Sequence, residues 1–495
     1  MLTLGLNSPS VQILLSSMCI AFNPGFYLAL NVSDPSWPSH PDFDKKTQLL
    51  GAGGGQPSSF RMANITSGVL NGIFAVSSVA AGTILNIFGP RITLLVACTG
   101  YPVFNGAMWY FSEKGHMWYP IFSGVYLGFT AGLLWTTSVS MSVGYPEEKD
   151  KGRWRAIQWI FNLGGGTIGA AVALGISWNA TTSGVPRAVY ITFIVLQVFS
   201  LGFAALILPP AKLRRCDGTS IARFEQMSTR ETVKLTLDAL KDWRVLLLVP
   251  CMFTPEMLFP FQSTMNAYIF NLRTRTLNSL LNGLIQMPMT YFVAWILDNQ
   301  RFGPRRRRLM IATAFVGTWF TGTYIAQTAW LAAWDFDLIV PGPDIDIHDK
   351  AYAGAIVIYL LYAALYGGFQ GVVLYTLSTF TNDPRKTAAL GGLYVGVLSA
   401  GTSVCFGLNA TRIPYQNING ALFALTTLCW PILFFVAYKH TTDTNYGKEE
   451  SVTIPIHVRK ELGLDEINID EQNMDDEAIL ATKGPKKLIV VETRE

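Results

Sequence analysis

The chain has 495 residues; 50% are apolar, only 14% are charged, the formal net charge is +4 and the mean hydropathy is +0.31. Soluble domains carry about 25% charged residues, so this composition excludes the ordinary soluble class. The small positive balance comes from a few loops that face anionic lipid in the topology below, and it gives no argument for a nucleic-acid partner.

Twelve stretches of 20 or more residues are almost free of charge: 10–30, 62–84, 92–111, 118–143, 157–177, 188–208, 245–267, 277–297, 309–330, 352–376, 388–408 and 418–438. About 20 helical residues cross a hydrocarbon core ~30 Å thick, so each stretch is long enough to span. A membrane barrel would instead show alternating segments of about ten residues. Met1 to Ser33 carry no charge, so the basic start of a cleaved signal peptide is missing, and 10–30 reads as a retained first helix. With the amino terminus inside, the inner loops hold 20 Lys and Arg and the outer loops nine, which puts both termini in the cytoplasm. Four Asn-x-Ser/Thr sequons, at Asn31, Asn64, Asn179 and Asn409, all fall in or near outer loops; Asn31, Asn179 and Asn409 are the glycosylation candidates.

Phe88-Gly89-Pro90-Arg91 follows the second stretch, and Phe302-Gly303-Pro304-Arg305 follows the eighth. A repeat at equivalent places implies two halves on one plan, the plan of transporters that rock one half against the other. Gly165/Gly169 in the fifth stretch and Gly392/Gly396 in the eleventh share an i, i+4 spacing, as do Gly367 and Gly371 in the tenth; small residues at this spacing let helices pack closely in lipid. Between the halves, 210–244 reads as a cytoplasmic linker. Within it Ser228 and Glu231 form a capping box, and Val233, Leu235, Leu237 and Leu240 read as the apolar side of a short surface helix. The tail 439–495 is rich in Asp, Glu and Asn, with a small cluster at Lys483, Lys486 and Lys487, and reads as disordered.

Polar side chains inside a bilayer are costly and mark candidate sites. Glu256 is the only carboxylate within the twelve stretches, and Pro250, Pro255 and Pro260 around it are expected to break the helix and free carbonyls. A buried carboxyl can exchange a proton near neutral pH. The alternative is a protonated carboxyl held by neighbouring hydroxyls. Gln262, Asn266, Trp135, Asn162, Gln286 and Gln370 complete the candidate cavity for a substrate or ion. The five histidines lie outside the stretches with no nucleophile–base spacing, which gives no enzyme reading. Asp344, Asp346, His348 and Asp349 alternate in an outer loop that reads as solvated rather than metal-binding. The six cysteines have neither paired spacing nor a C-x-x-C, so neither a zinc site nor a disulfide framework is expected. No cofactor is indicated.

Gly82, Asn86, Gly89 and Arg91 resemble the signature between helices 2 and 3 of the major facilitator superfamily, in which an acid and a base latch the inner gate. Here Asn86 stands at the acid position, Ile87 at the first basic one and Pro90 at a later one, which weakens that latch. The second copy has Gln300 at the acid position, with Asp298 two residues earlier, and Gly303 and Arg305 following. Further stretches resemble the uncoordinated-ninety-three branch of that superfamily: Pro24-Gly25-Phe26-Tyr27, Gly53 to Gln56, Gly132 to Trp135, Tyr145 to Arg153, Phe161 to Gly165 and Phe270 to Ser279. Residues 32–49, polar and Pro-rich, depart from the branch pattern as either a real outer loop or a mispredicted coding segment.

The resulting expectation is an all-α membrane protein of twelve helices in two pseudo-symmetric six-helix bundles, 1–209 and 245–438, joined by the linker 210–244 and followed by the tail 439–495. The function expected is alternating-access movement of a small solute or ion, protons included, in the plasma membrane or an endomembrane. The alternative is a non-transporting subunit or escort of another membrane protein, such as an ion channel, since the resemblance also implies regulators of that kind.

Overall fold

The computed structural model describes residues 5–27, 59–177, 187–222, 228–334, 342–409, 413–449, 451–461 and 463–464; Asn31, Asn179, Gly53 to Gln56, the 32–49 stretch and Lys483 to Lys487 lie outside them. The apolar stretches form helices: α1 Pro9–Ile20, prolonged by a π-turn Ala21–Gly25, α2 Ser59–Ala97, α3 Gly100–Lys114, α4 Trp118–Gly144, α5 Lys151–Ser177 and α6 Arg187–Ala205. The 210–244 linker contributes α7 Thr229–Lys241. After it come α8 Trp243–Leu247, α9 Val249–Ile269, α10 Leu272–Asp298, α11 Arg305–Trp334, α12 Tyr352–Ala364, α13 Tyr366–Ser378, α14 Pro384–Asn409, α15 Tyr415–His440 and the short α16 Ile456–Glu461. Extended pairing among the described residues is limited to three isolated bridges. Among the described residues seven spans are long and apolar enough to cross a membrane, at Ile65–Lys114, Trp243–Ile269, Arg273–Asp298, Arg305–Trp334, Tyr352–Ser378, Pro384–Asn409 and Tyr415–His440. The protein is therefore an all-helical, multi-pass membrane protein.

The recurring tetrapeptide has a backbone cause. Gly89 interrupts α2 at φ 78°, and Gly303 precedes α11 at φ 96°. Both have ψ near 180°, a region that essentially only glycine enters and that costs another residue on the order of 1–3 kcal/mol, so both copies need glycine, and the proline after each leads into the next helix.

Two buried apolar clusters form the interior. One draws on residues between Ile13 and Ile221. The other draws on residues between Val245 and Ala437, joined by Val139, Val143 and Trp159. The clusters meet where helix backbones come close: a Cβ on Gly392 would lie 2.6 Å from the Ser78 carbonyl, and one on Gly396 would lie 2.8 Å from that of Ala75. Such close approach replaces the hydrophobic drive that lipid cannot supply.

Three expectations change. The prolines do not break α9, which is helical throughout from Val249 to Ile269. Pro250 sits in the first turn, where its missing N–H is harmless, and the hydroxyls of Thr254 and Thr264 bond to the carbonyls of Pro250 and Pro260 at 2.8 Å each. What survives of the reading is chemical: Pro260 has no N–H to give the Glu256 carbonyl four residues earlier. On α7 the capping box is present, with Glu231 N donating to Ser228 Oγ at 3.2 Å and Ser228 N donating to Glu231 at 2.6 Å. Its inward side, however, is Thr232, Leu235, Thr236 and Ala239, while Val233 and Leu237 are exposed, because Thr236 hydrogen-bonds Thr83 at 2.8 Å. Finally, the tail is packed rather than solvated over 441–449 and 451–461. Val452 pairs with Ala222, Arg215 donates to the Thr453 carbonyl at 2.8 Å, and Ile456 N donates to Asp217 at 2.9 Å.

Candidate functional site

Polar side chains are stacked in three tiers along the interface between the two clusters. The innermost tier is an ion-paired latch. Glu148, in the turn before α5, accepts from Arg305 Nη1 at 3.2 Å, Asn382 Nδ2 at 2.7 Å and the Asn445 amide at 2.8 Å. Lys151 is 2% exposed and donates from Nζ to the carbonyls of Ser378 and Thr381 and to Asn382 Oδ1, at 2.9, 3.3 and 2.9 Å. Asp298, ending α10, accepts from the amides of Gly152 and Arg153 at 3.0 and 2.5 Å. It thereby caps α5 with a carboxylate where the helix dipole favours one.

Burial alone would raise the Glu148 carboxyl, but the Arg305 charge, the Asn445 amide, Lys151 and Asn382 together hold it below the usual range. Burial, helped by the neighbouring Arg305 charge, pushes the Lys151 ammonium down to about 7 against the pull of Glu148 and Glu449. The tail takes part in the latch. Glu449 accepts from Thr381, the Asn382 amide and Lys386, and Ser451 donates to Asp383 at 2.8 Å.

The expected gate residues therefore fall into groups. Asp298 and Arg305 join this latch. Gly82 and Asn86 make a separate contact on α14, where Asn86 Nδ2 donates to the Arg385 carbonyl at 3.1 Å and Gly82 lies against the Ala388 carbonyl. Asn382, Asp383 and the first turn of α14 connect the two groups. Gly89 and Gly303 act through their turns, and Arg91 is exposed.

The middle tier holds Glu256. Its carboxylate accepts from Gln370 Nε2 at 2.6 Å, with Tyr366 and Arg155 close enough to act on it electrostatically. Arg155, buried, donates to Gln158 at 2.6 Å and lies 5.1 Å over the Trp159 ring. Trp135 packs against Trp159 at 6.2 Å between ring centroids.

The third tier is a cavity of about 100 Å³ lined by residues of α5, α9, α10 and α12, among them Asn162, Thr167, Gln262, Asn266, Asn282 and Tyr359. Asn282 to Asp298 is 16 residues, about 24 Å at 1.5 Å rise, so cavity and latch sit toward opposite ends of α10. Amides hold the lining in place. Gln262 donates to the Tyr359 carbonyl at 2.9 Å, Asn282 to Gln262 at 3.1 Å, and Asn278 to Asn266 at 2.8 Å. Gln286 donates to Asn282 and accepts from Trp159 at 3.4 Å, which joins cavity to middle tier.

Of the expected cavity residues, Asn162, Gln262 and Asn266 line it, and Gln286 lies one hydrogen bond away. Glu256, Gln370 and Trp135 belong to the middle tier instead. Sequence reasoning missed Arg155, Lys151, Glu148 and Asn282. A signal existed for part of this, since Lys151, Arg155, Gln158 and Asn162 recur at helical spacing and form one buried stripe on α5 from latch to cavity. Asn409 departs from the glycosylation expectation. It is buried and its Nδ2 donates to Thr264 Oγ1 at 3.0 Å, so the nitrogen a sugar would need is committed to the core. In the loop before α12 Asp346 takes Arg273 at 2.6 Å and is held at about 2 by that guanidinium and the Asn271 amide. Among the described residues no group of three or more His, Cys, Asp or Glu stands close enough to hold a metal.

A sequence model described as "Ion channel regulatory protein UNC-93" matches residues 65–326. An uncharacterised membrane protein of Schizosaccharomyces pombe is 34% identical over 435 residues, 87% of this chain and 85% of its own length. UNC93-like protein 1 of Arabidopsis thaliana is 27% identical over 446 residues, 89% of this chain and 92% of its own. Among solved structures, the fucose:proton symporter of E. coli superposes with a TM-score of 0.59 at 10% identity, covering 88% of this chain and all of that one. At that identity the likeness shows the fold alone, that of the major facilitator transporters.

Proposed function

Because this chain belongs to the UNC-93 family and carries the major facilitator fold, we propose that it moves a small solute or ion across a membrane by alternating access. The observation that carries this reading is the α5 stripe, which runs from a cross-half latch at one end to a polar cavity at the other, with Glu256 between. A closed inner latch below a lined cavity is one of the two states that alternating access requires. In this proposal the chain crosses twelve times as two six-helix bundles, with both termini and 210–244 in the cytoplasm, and Glu256 takes and releases the coupling proton. Loop charge supports that orientation. The membrane is the plasma membrane or an endomembrane.

The second reading, a non-transporting regulatory subunit or escort of another membrane protein, is favoured by the description of the matching family and by Asn86 at the acid position of the gate signature. Profiling metabolites and ions in cells with and without the protein identifies a solute. Its uptake is then measured as a function of pH in vesicles holding wild type or Glu256→Gln. Transport driven by a pH gradient should fail in the variant while solute exchange persists. A variant with unchanged pH dependence takes Glu256 out of the mechanism, and one that still controls a partner without any uptake favours the regulator.

A further inference from the structure

We propose that the cavity takes an uncharged solute bearing alcohol or amide groups, no larger than a small polyol; this rests on the transport reading and specifies its cargo. Among the described residues lining the cavity none is Asp, Glu, Lys, Arg or His. A full charge placed there would lose its water with no counter-charge to receive it, a penalty of several kcal/mol per ion. The charged pair nearest in the stack, Arg155 with Glu256, is already committed to Gln158 and Gln370 and is absent from the lining.

The polar atoms of the wall suit a neutral hydrogen-bonding solute. Gln262, Asn282 and Tyr359 bond to one another, which fixes their orientation before anything enters. Two wall atoms are left over: Asn162 Oδ1 and Thr167 Oγ1 are buried with no hydrogen-bond partner among the described residues. Asn162 is only 4% exposed. A buried acceptor without a donor is costly; both atoms lie just behind the cavity surface, and turning either side chain toward a solute hydroxyl or N–H removes that cost. Phe259 and Leu163 on the same wall offer apolar surface to the carbon side of such a molecule. The volume of about 100 Å³ equals the share of roughly three waters, which sets the size limit.

The test uses the full-length protein in detergent and in vesicles, with four matched probes: glycerol, glycerate, 3-amino-1,2-propanediol and sodium ion. Saturable thermal stabilisation and uptake are expected for glycerol alone. Asn162→Leu, which keeps volume and removes the acceptor, should weaken glycerol binding on the order of tenfold. Thr167→Val provides an independent check should that variant misfold. Preference for glycerate, the amine or sodium overturns the uncharged class while leaving the transport reading intact. Glycerol binding indifferent to both variants overturns the site. Vesicles that take up none of the probes, nor any solute found by profiling, overturn the transport reading and the inference with it.

Discussion

Removing the Arg305 side chain should open the inner latch without unfolding the protein. Arg305 is 2% exposed, pairs with Glu148 at 3.2 Å and lies 5.5 Å over the Tyr375 ring. Deleting one partner of a buried pair costs about 3–5 kcal/mol, chiefly because the other charge stays buried and unpaired. Glu148 would keep Asn382 and the Asn445 amide, so the lower end, about 3 kcal/mol, is the better figure. When the latch is open Glu148 is solvated, so nearly all of this cost falls on the closed arrangement. At 1.4 kcal/mol per decade the closed population drops roughly a hundredfold relative to the open one. Hydrogen exchange reads this directly, since the amides of Asn382 and Asn445 are held by carboxylates of the latch. In Arg305→Ala, protection over 379–386 and 441–453 should fall by about two orders of magnitude, with 272–286 unchanged. Arg305→Lys, which keeps the charge and loses the planar fork, should fall in between. Unchanged protection, or equal loosening across all helices, would refute the latch.

Gly303→Val places a β-branched residue at φ 96° and should abolish cycling while surface biotinylation stays normal; loss of expression would make the turn purely structural. Lowering pH should weaken inner closure, because two groups act in the same direction. The Glu148 contribution is present above the ordinary carboxylate range and lost as pH falls through its lowered value. The closed form holds Lys151 at about 7, so closure gains as pH rises from there to the ordinary lysine range; labelling of a cysteine placed at Thr381 should fall between pH 6.5 and 9, and a flat profile there would exclude Lys151. Asn409→Gln should leave gel mobility before and after glycosidase unchanged, since that amide is used by Thr264; a mobility shift would mean the helix end unwinds in the cell.

What sequence could show depended on how local each cause is. The two tetrapeptides were legible because a positive φ and the proline after it are properties of four residues, and the capping box because its bonds span three. Glu256 stood out because a carboxylate in an apolar stretch is rare at any tertiary arrangement. Arg155 and Lys151 were counted with the inner-loop charges: their helical spacing with Gln158 and Asn162 marks a face, but that Asn382, Tyr394 and Glu256, more than 100 residues away, cover it is not local information. The α7 face was misread for a similar reason, as a threonine pair across 153 residues outweighed the leucine pattern. The tail was read from composition, which records the lack of apolar residues but not that Glu449, Ser451 and Asn445 find partners on the latch.

The packed tail also changes how the two functional readings relate. Residues 445–457 touch Glu148, the 379–386 loop and the 215–222 segment at once. On the transport reading, a protein that grips this segment must strip it from the latch, so its affinity depends on which way the cavity faces. Thermodynamic reciprocity then requires the converse: whatever occupies the cavity alters the hold on that protein by the same factor. A chain wired in this manner would report its cargo to a neighbour even at negligible flux.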